Sequence, residues 1–287
     1  TALAGRLLTT LQAHSYKLPE AHASKYDALR TRALEIFTPS GAAQVDEKTR
    51  IAAALALGRV GDERIGRDAF RANLIPVPGT EILLGKYLVT VEEFARFVAD
   101  DGYIRRELWD DEGWAFRQHD QWTEPNDWAA QLARPNNPVV HVSWFDAMAY
   151  CRWRSQPDLT VRLPTRAEWL AAATPDDRKY PWGTAPEPDD QRANFGRVDR
   201  LTPVGIYPSG DGQFGHCDLV GNAWEWSADI GPDMEVDRKL FGLPRILSGG
   251  ASSSGEDELA SVVWGTVGSG NRYGLVGFRV AAVPAHR

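Results

Sequence analysis

The sequence predicts an α+β protein: a small helical arm over residues 1–72, then a domain over 73–287 built from a few capped helices, short antiparallel strands and many loops. Three observations lead there. Helical periodicity dominates the front of the chain: Leu3, Leu7, Leu8 and Leu11 fall on one stripe, as do Ala28, Leu29, Ala33 and Ile36. The composition then changes at Asn73-Leu74-Ile75-Pro76-Val77-Pro78-Gly79-Thr80, where prolines and a glycine end the pattern. From Thr174 onward the chain is rich in Gly, Pro, Asp and Trp, which suits loops pinned on short strands and argues against a parallel α/β sheet.

Within the arm, Lys48–Ile65 reads as one HEAT-type helical unit, which has to pack on a neighbour because a single unit leaves its apolar face bare. Behind the boundary, strands are expected at Glu81–Leu84 and Lys86–Leu88, with Gly85 as a turn or bulge. The next signals are helix starts. Thr90/Glu93, Ser143/Asp146 and Thr165/Glu168 each place a hydroxyl three residues before an acid. In that box the hydroxyl accepts from a free backbone N–H and the acid reaches back to the cap residue's own N–H. Helices over Val91–Ala99, Trp144–Arg154 and Arg166–Ala173 follow.

Composition limits the function classes. The net charge of -7 and the lack of any Lys/Arg run argue against a nucleic-acid partner. No apolar run reaches the length of a membrane span, and the start carries no signal-peptide layout, so a cytoplasmic location is expected. Cys151 and Cys217 read as reduced, buried thiols. A chain opening on Thr1 is expected to be a processed form or part of a longer multidomain protein. Acidic pairs such as Glu92/Glu93, Asp100/Asp101, Asp110/Asp111 and Asp189/Asp190 read as solvated surface charge.

Six segments in fixed order carry a family resemblance: Gly85-Lys86-Tyr87-Leu88-Val89-Thr90-Val91-Glu92-Glu93-Phe94, Asn137-Pro138-Val139-Val140-His141-Val142-Ser143-Trp144, Arg162-Leu163-Pro164-Thr165-Arg166-Ala167-Glu168-Trp169, Tyr180-Pro181-Trp182-Gly183, Gly221-Asn222-Ala223-Trp224-Glu225-Trp226 and Gly277-Phe278-Arg279-Val280. Together they resemble the formylglycine-generating-enzyme, or sulfatase-modifying-factor, family over about 74–283. The resemblance implies a C-type-lectin-like fold whose first and last strands meet. Trp144, Trp169, Trp182, Trp224 and Trp226 are expected to anchor loops.

The resemblance also implies a copper-thiolate site after a Gly-Gly-Ser motif, but the positions that match the two cysteines are Ser254 and Leu259. No hydroxyl replaces a thiolate as a ligand for Cu(I). The related sulfoxide synthases draw iron from histidines on an attached helical bundle. Here His14, His22, His119, His141, His216 and His286 are scattered, without a metal-ligand spacing. No catalytic residues and no redox cofactor are therefore expected, and the chain reads as a binding protein rather than an enzyme. A metal-dependent oxidase of the formylglycine-generating or sulfoxide synthase type is the alternative.

Between Gly250 and Gly277 the framework is kept and its filling replaced, which resembles the variable proteins of diversity-generating retroelements. A recognition surface for a protein or other macromolecule is expected from Ser248, Ser252, Ser253, Ser254, Glu256, Glu258, Trp264, Thr266, Val267, Tyr273 and Leu275, with Trp264 and Tyr273 on one face. The family resemblance further implies structural Ca²⁺. One site would use Asp218 and Glu225 with the carbonyls of Gly221 and Ala223, and a second would use Asn194 near Asp199.

Overall fold

The computed structural model describes residues 28, 31–66, 69–197, 200–232 and 238–285. The stripe Leu3–Leu11, Leu29, His14, His22, Asp199 and His286 lie outside these residues.

The arm shows a short helix α1, Pro39–Ala42, and a longer one, α2, Glu47–Val60, which overlaps the expected helical unit. Asp46 caps α2 by accepting from Thr49 N. One side of α2 is tied to the domain. Fully buried Arg50 donates to Gln191 Oε1 at 2.8 Å and to Asp190 O at 3.2 Å, and Glu47 accepts from Arg197 and from Tyr207 Oη. Asn136 of the domain donates to Ala54 O of α2.

Two sheets follow. The first comprises β1 (Leu74–Pro76), β2 (Leu83–Gly85), β8 (Ala281–Pro284) and β3 (Leu159–Arg162), in that order and antiparallel throughout. The pairing of Leu83 with Ala282 closes the domain's first strands on its last, as a C-type-lectin-like fold requires. The strand boundaries differ from expectation. Leu74–Pro76, read as the domain boundary, is itself a strand, and Lys86–Leu88 is not one. Gly85 ends β2, because Gly85 N donates to Val280 O while Lys86 N turns back to Asn73 O.

The second sheet has the order β6 (Trp264–Gly268), β5 (Pro244–Ser248), β4 (Trp224–Ile230), β7 (Val276–Gly277). Its last pair, β4 with β7, is parallel. Helices α3 (Val91–Ala99), α6 (Trp144–Arg154) and α7 (Arg166–Ala173) occupy the expected residues, and each begins with its reciprocal capping box in place. Between α3 and α6 lie α4, Asp111–His119, and α5, Trp128–Leu132. A last short helix, α8, spans Arg238–Phe241.

The main core joins α3, α6 and the second sheet through aromatic contacts. Phe94 stacks on Tyr150 at 5.6 Å and meets Phe278 edge-on at 6.3 Å. Trp144, Trp169 and Trp226 are buried and give their indole N–H groups to Ser227 O, Glu225 and Val142 O, so each pins a loop or strand, whereas Trp182 and Trp224 are only half-buried. Cys151 and Cys217 are buried and unpaired. Among the described residues no helix is long and apolar enough to cross a membrane.

Candidate functional site

The C-terminal segment leaves β5 at Gly249-Gly250, crosses the end of the second sheet, returns as β6, and crosses again to reach β7. Gly249 has φ 96°, and a side chain there would place its Cβ 2.8 Å from Leu219 O, so this turn requires glycine. The pairing register aligns Trp264 of β6 with Ser248 of β5, Glu225 of β4 and Gly277 of β7.

That register corrects part of the expected recognition face. Trp264 sits on edge strand β6, while Tyr273 lies in the loop entering β7 at the opposite edge, three strand spacings or roughly 14 Å away. Both are exposed, at 45% and 51%, but on different margins of the sheet. Ser253, Glu256 and Glu258 are exposed, and Thr266 and Leu275 are half-buried. Ser248, Ser252 and Ser254 are buried and belong to the framework. Ser252 O accepts from Arg197 N, Ser254 O accepts from Gly196 N, and Ser254 Oγ accepts from Ala251 N. Val267 points inward and packs on the core, since it alternates with the outward pair Trp264 and Thr266.

Three residues that the sequence did not single out position this segment. Arg166, the first residue of α7, passes along Trp264 with its guanidinium 5.9 Å from the ring centroid and donates to Val262 O at 2.5 Å. Arg272 is driven into the core: Nε and Nη2 grip Asp146 at 2.9 and 2.6 Å, and the guanidinium lies 4.0 Å from the Trp122 ring. Asp146 already closes the capping box of α6, so one buried carboxylate fixes both a helix start and the loop bearing Tyr273. Tyr103 Oη completes the arrangement as a 3.3 Å acceptor for Arg272. Nothing in the spacing of these residues announces the contacts, because they span 126 positions between Asp146 and Arg272.

The first expected calcium site does not form as drawn, and the second involves Asp199, which lies outside the described residues. Glu225 is fully buried, and both its oxygens accept from Arg279, each at 2.6 Å, while Trp169 Nε1 adds a third bond at 3.0 Å. Burial pushes the Glu225 carboxyl up, and Arg279 opposes that shift. A guanidinium seated on the carboxylate neutralises it and repels a dication. Asp218 instead accepts Gly205 N at 2.6 Å, and burial pushes it up to about 6. Gly221 is a close-approach residue: a Cβ there would lie 2.5 Å from Asn194 O. Ala223 is buried among apolar neighbours. Asn194 donates to Arg200 O and to Asn222 Oδ1, leaving its own Oδ1 buried and unpartnered.

Ser254 and Leu259 are buried where the two thiolates would stand. Burial raises the thiol pKa of Cys151 and Cys217, which disfavours the ligating thiolate. Among the described residues no group of three His, Cys, Asp or Glu side chains is placed to hold a metal. The described residues do not fit a copper-thiolate or histidine-iron centre.

Comparison with known proteins bears on this geometry. The sulfatase-modifying factor enzyme 1-like domain family matches residues 25–283. Hercynine oxygenase of Mycobacterium tuberculosis is 36% identical over 173 residues, covering 54% of this chain and 39% of that protein. Formylglycine-generating enzyme of Thermomonospora curvata is 33% identical over 191 residues, covering 51% of this chain and 59% of the relative. Among solved structures, Treponema denticola variable protein 1 superposes with a TM-score of 0.51 at 19% identity, covering 74% of this chain and 91% of that one, which shows the shared fold. The chain spans about two fifths of the length of the hercynine oxygenases it matches. The hercynine oxygenases and the Thermomonospora curvata formylglycine-generating enzyme, at 33–37% identity, are named as enzymes, and they overturn the expectation of a non-enzyme. The missing thiolate pair speaks only to the copper branch.

Proposed function

This chain belongs to the sulfatase-modifying factor enzyme 1-like family, and on that premise we propose that it is the substrate-recognising domain of an oxygenase of the hercynine-oxygenase type. The carrying observation is the pairing of 36% identity to a hercynine oxygenase with a buried Ser254 and Leu259 at the copper-thiolate positions. The first supports membership of the oxygenase branch; the second disfavours the formylglycine branch. Metal ligands in this reading come from residues other than those described.

The exposed part of the C-terminal segment is chemically suited to such a substrate. Hercynine carries a trimethylammonium group, and Glu256, Asp257 and Glu258 form an exposed acidic turn beside the edge that bears Trp264. Carboxylates and an aromatic face are the groups that attract a quaternary ammonium. Titration calorimetry of the chain with hercynine and with histidine tests the proposal. Saturable hercynine binding that is weaker for histidine, and weakened by Glu256→Gln with Glu258→Gln, is expected. No saturable heat up to about 10 mM, which corresponds to under about 3 kcal/mol of binding, rejects it.

A second reading concerns the same segment: that its exposed positions are diversified, as in a retroelement variable protein. The retained Gly249-Gly250 and Gly277-Phe278-Arg279 ends, with small polar filling between them, support it. The check is genomic. An adjacent near-copy of the Ser248–Val280 coding sequence, differing mainly at adenines and next to a reverse transcriptase, is expected, and a complete genome lacking both removes this reading.

A further inference from the structure

Away from the acidic turn, a groove of about 840 Å³ opens between α5 and the loop entering β7. Arg134, Asp127, His141 and Asn137 supply its polar wall, with Leu201 and Leu275 among its apolar residues. We propose that this groove binds a small zwitterion of the α-amino acid class, with the carboxylate on Arg134, the ammonium on Asp127, and the side chain against Leu201 and Leu275.

Several independent observations support this assignment. Arg134 is exposed, and its guanidinium makes no ion pair among the described residues, although carboxylates surround most other arginines of the domain. Asp127, at the same groove, keeps 73% of its side chain exposed, and among the described residues its one contact with a basic side chain is His141 Nε2 at 3.3 Å. Opposite charges on one groove favour a ligand carrying both signs, since a simple anion meets Asp127 and a simple cation meets Arg134. Asn137 is 4% exposed, and its Oδ1 is buried with no hydrogen-bond partner, an orphan that a nearby donor would relieve.

The backbone at this groove is also unusual. Asp127 and His141 both hold left-handed conformations, φ 53° and 56°, and their side chains meet. Non-glycine residues in that region carry a conformational cost and gather at ligand-holding sites. His141 is fixed from behind, with Nδ1 3.4 Å from Arg272 O and its backbone N–H donating to Tyr273 O. The pair therefore presents Asp127 at a set place. Because both charged groups are solvent-accessible, millimolar affinity is expected rather than tight binding.

The test uses calorimetry with a matched trio: L-phenylalanine, 3-phenylpropionate, which lacks the ammonium, and phenethylamine, which lacks the carboxylate. Phenylalanine should bind, with each half-ligand weaker by at least about tenfold. Arg134→Ala should reduce phenylalanine to the level of phenethylamine, and Asp127→Asn, which tolerates the left-handed backbone, to that of 3-phenylpropionate. Both side chains are exposed, so the variants fold. The Glu256→Gln, Glu258→Gln variant should bind phenylalanine unchanged, which separates this groove from the hercynine reading. Either half-ligand binding as well as phenylalanine, no saturable phenylalanine binding, or unchanged binding in both single variants would overturn the proposal.

Discussion

Replacing Arg279 with Met tests the central ion pair of the domain. Arg279 is fully buried, and beyond Glu225 it donates to the carbonyls of Gly85 and Cys217 at 3.0 Å and of Lys86 and Asp218 at 3.3 Å. The substitution leaves Glu225 with Trp169 alone and removes the donor of four carbonyls from the strand junction that closes the first sheet. Breaking a buried pair by removing one partner costs about 3–5 kcal/mol, and orphaned carbonyls add to that. Against a typical total of about 5–15 kcal/mol, the variant should lie near the limit of folding. Urea denaturation at pH 7 measures the loss. The penalty should shrink at lower pH, where Glu225, already pushed up by burial, neutralises readily. Adding Glu225→Gln should restore part of the stability, because the uncompensated charge is then gone. A loss under about 1 kcal/mol, or a double variant as unstable as the sum of the singles, would refute the reasoning.

Other outcomes follow from the same geometry. The melting temperature should be equal in calcium and in chelator, because Arg279 already occupies Glu225; a calcium-dependent rise would restore the Asp218–Glu225 site. Asp211→Asn should stabilise the protein at pH 8 by about 1–3 kcal/mol and change nothing near pH 4. Burial raises this carboxyl from 3.8 to about 7, so the folded state binds its proton more tightly than the unfolded chain, and stability from this group is full below about pH 4 and lost as pH rises to about 7. A flat difference between the two proteins across that window rejects this account. Arg272→Ala should cost about 3 kcal/mol by stranding Asp146, whereas Trp264→Ala, at an exposed edge position, should change stability by less than about 0.5 kcal/mol; chemical denaturation of both checks the contrast.

Much of the fold was legible because its signals are local. Thr90, Ser143 and Thr165 each announce a helix through an acid three residues on, and all three helices begin there, since a capping box needs only one turn of chain. The family framework was equally readable as an ordered set of short segments, and it implied the meeting of first and last strands. Strand limits near Gly85 were not legible, because β2 ends where Val280, 195 residues away, supplies the partner. The recognition face was half legible. Exposure of Glu256, Trp264 and Tyr273 follows from a polar, glycine-rich segment, but which serines turn inward depends on Arg197, Gly196 and Asn222 arriving from other loops. The supposed calcium acid failed for the same reason: Glu225 looks free in sequence until tertiary packing seats Arg279 upon it. What the sequence by itself determined is therefore the local grammar of helices, turns and framework motifs, which a few neighbouring residues settle. The tertiary structure alone decided which charges are matched, which serines are buried, and that Asp127 and His141 meet, because those pairings join parts of the chain whose separation carries no local signal.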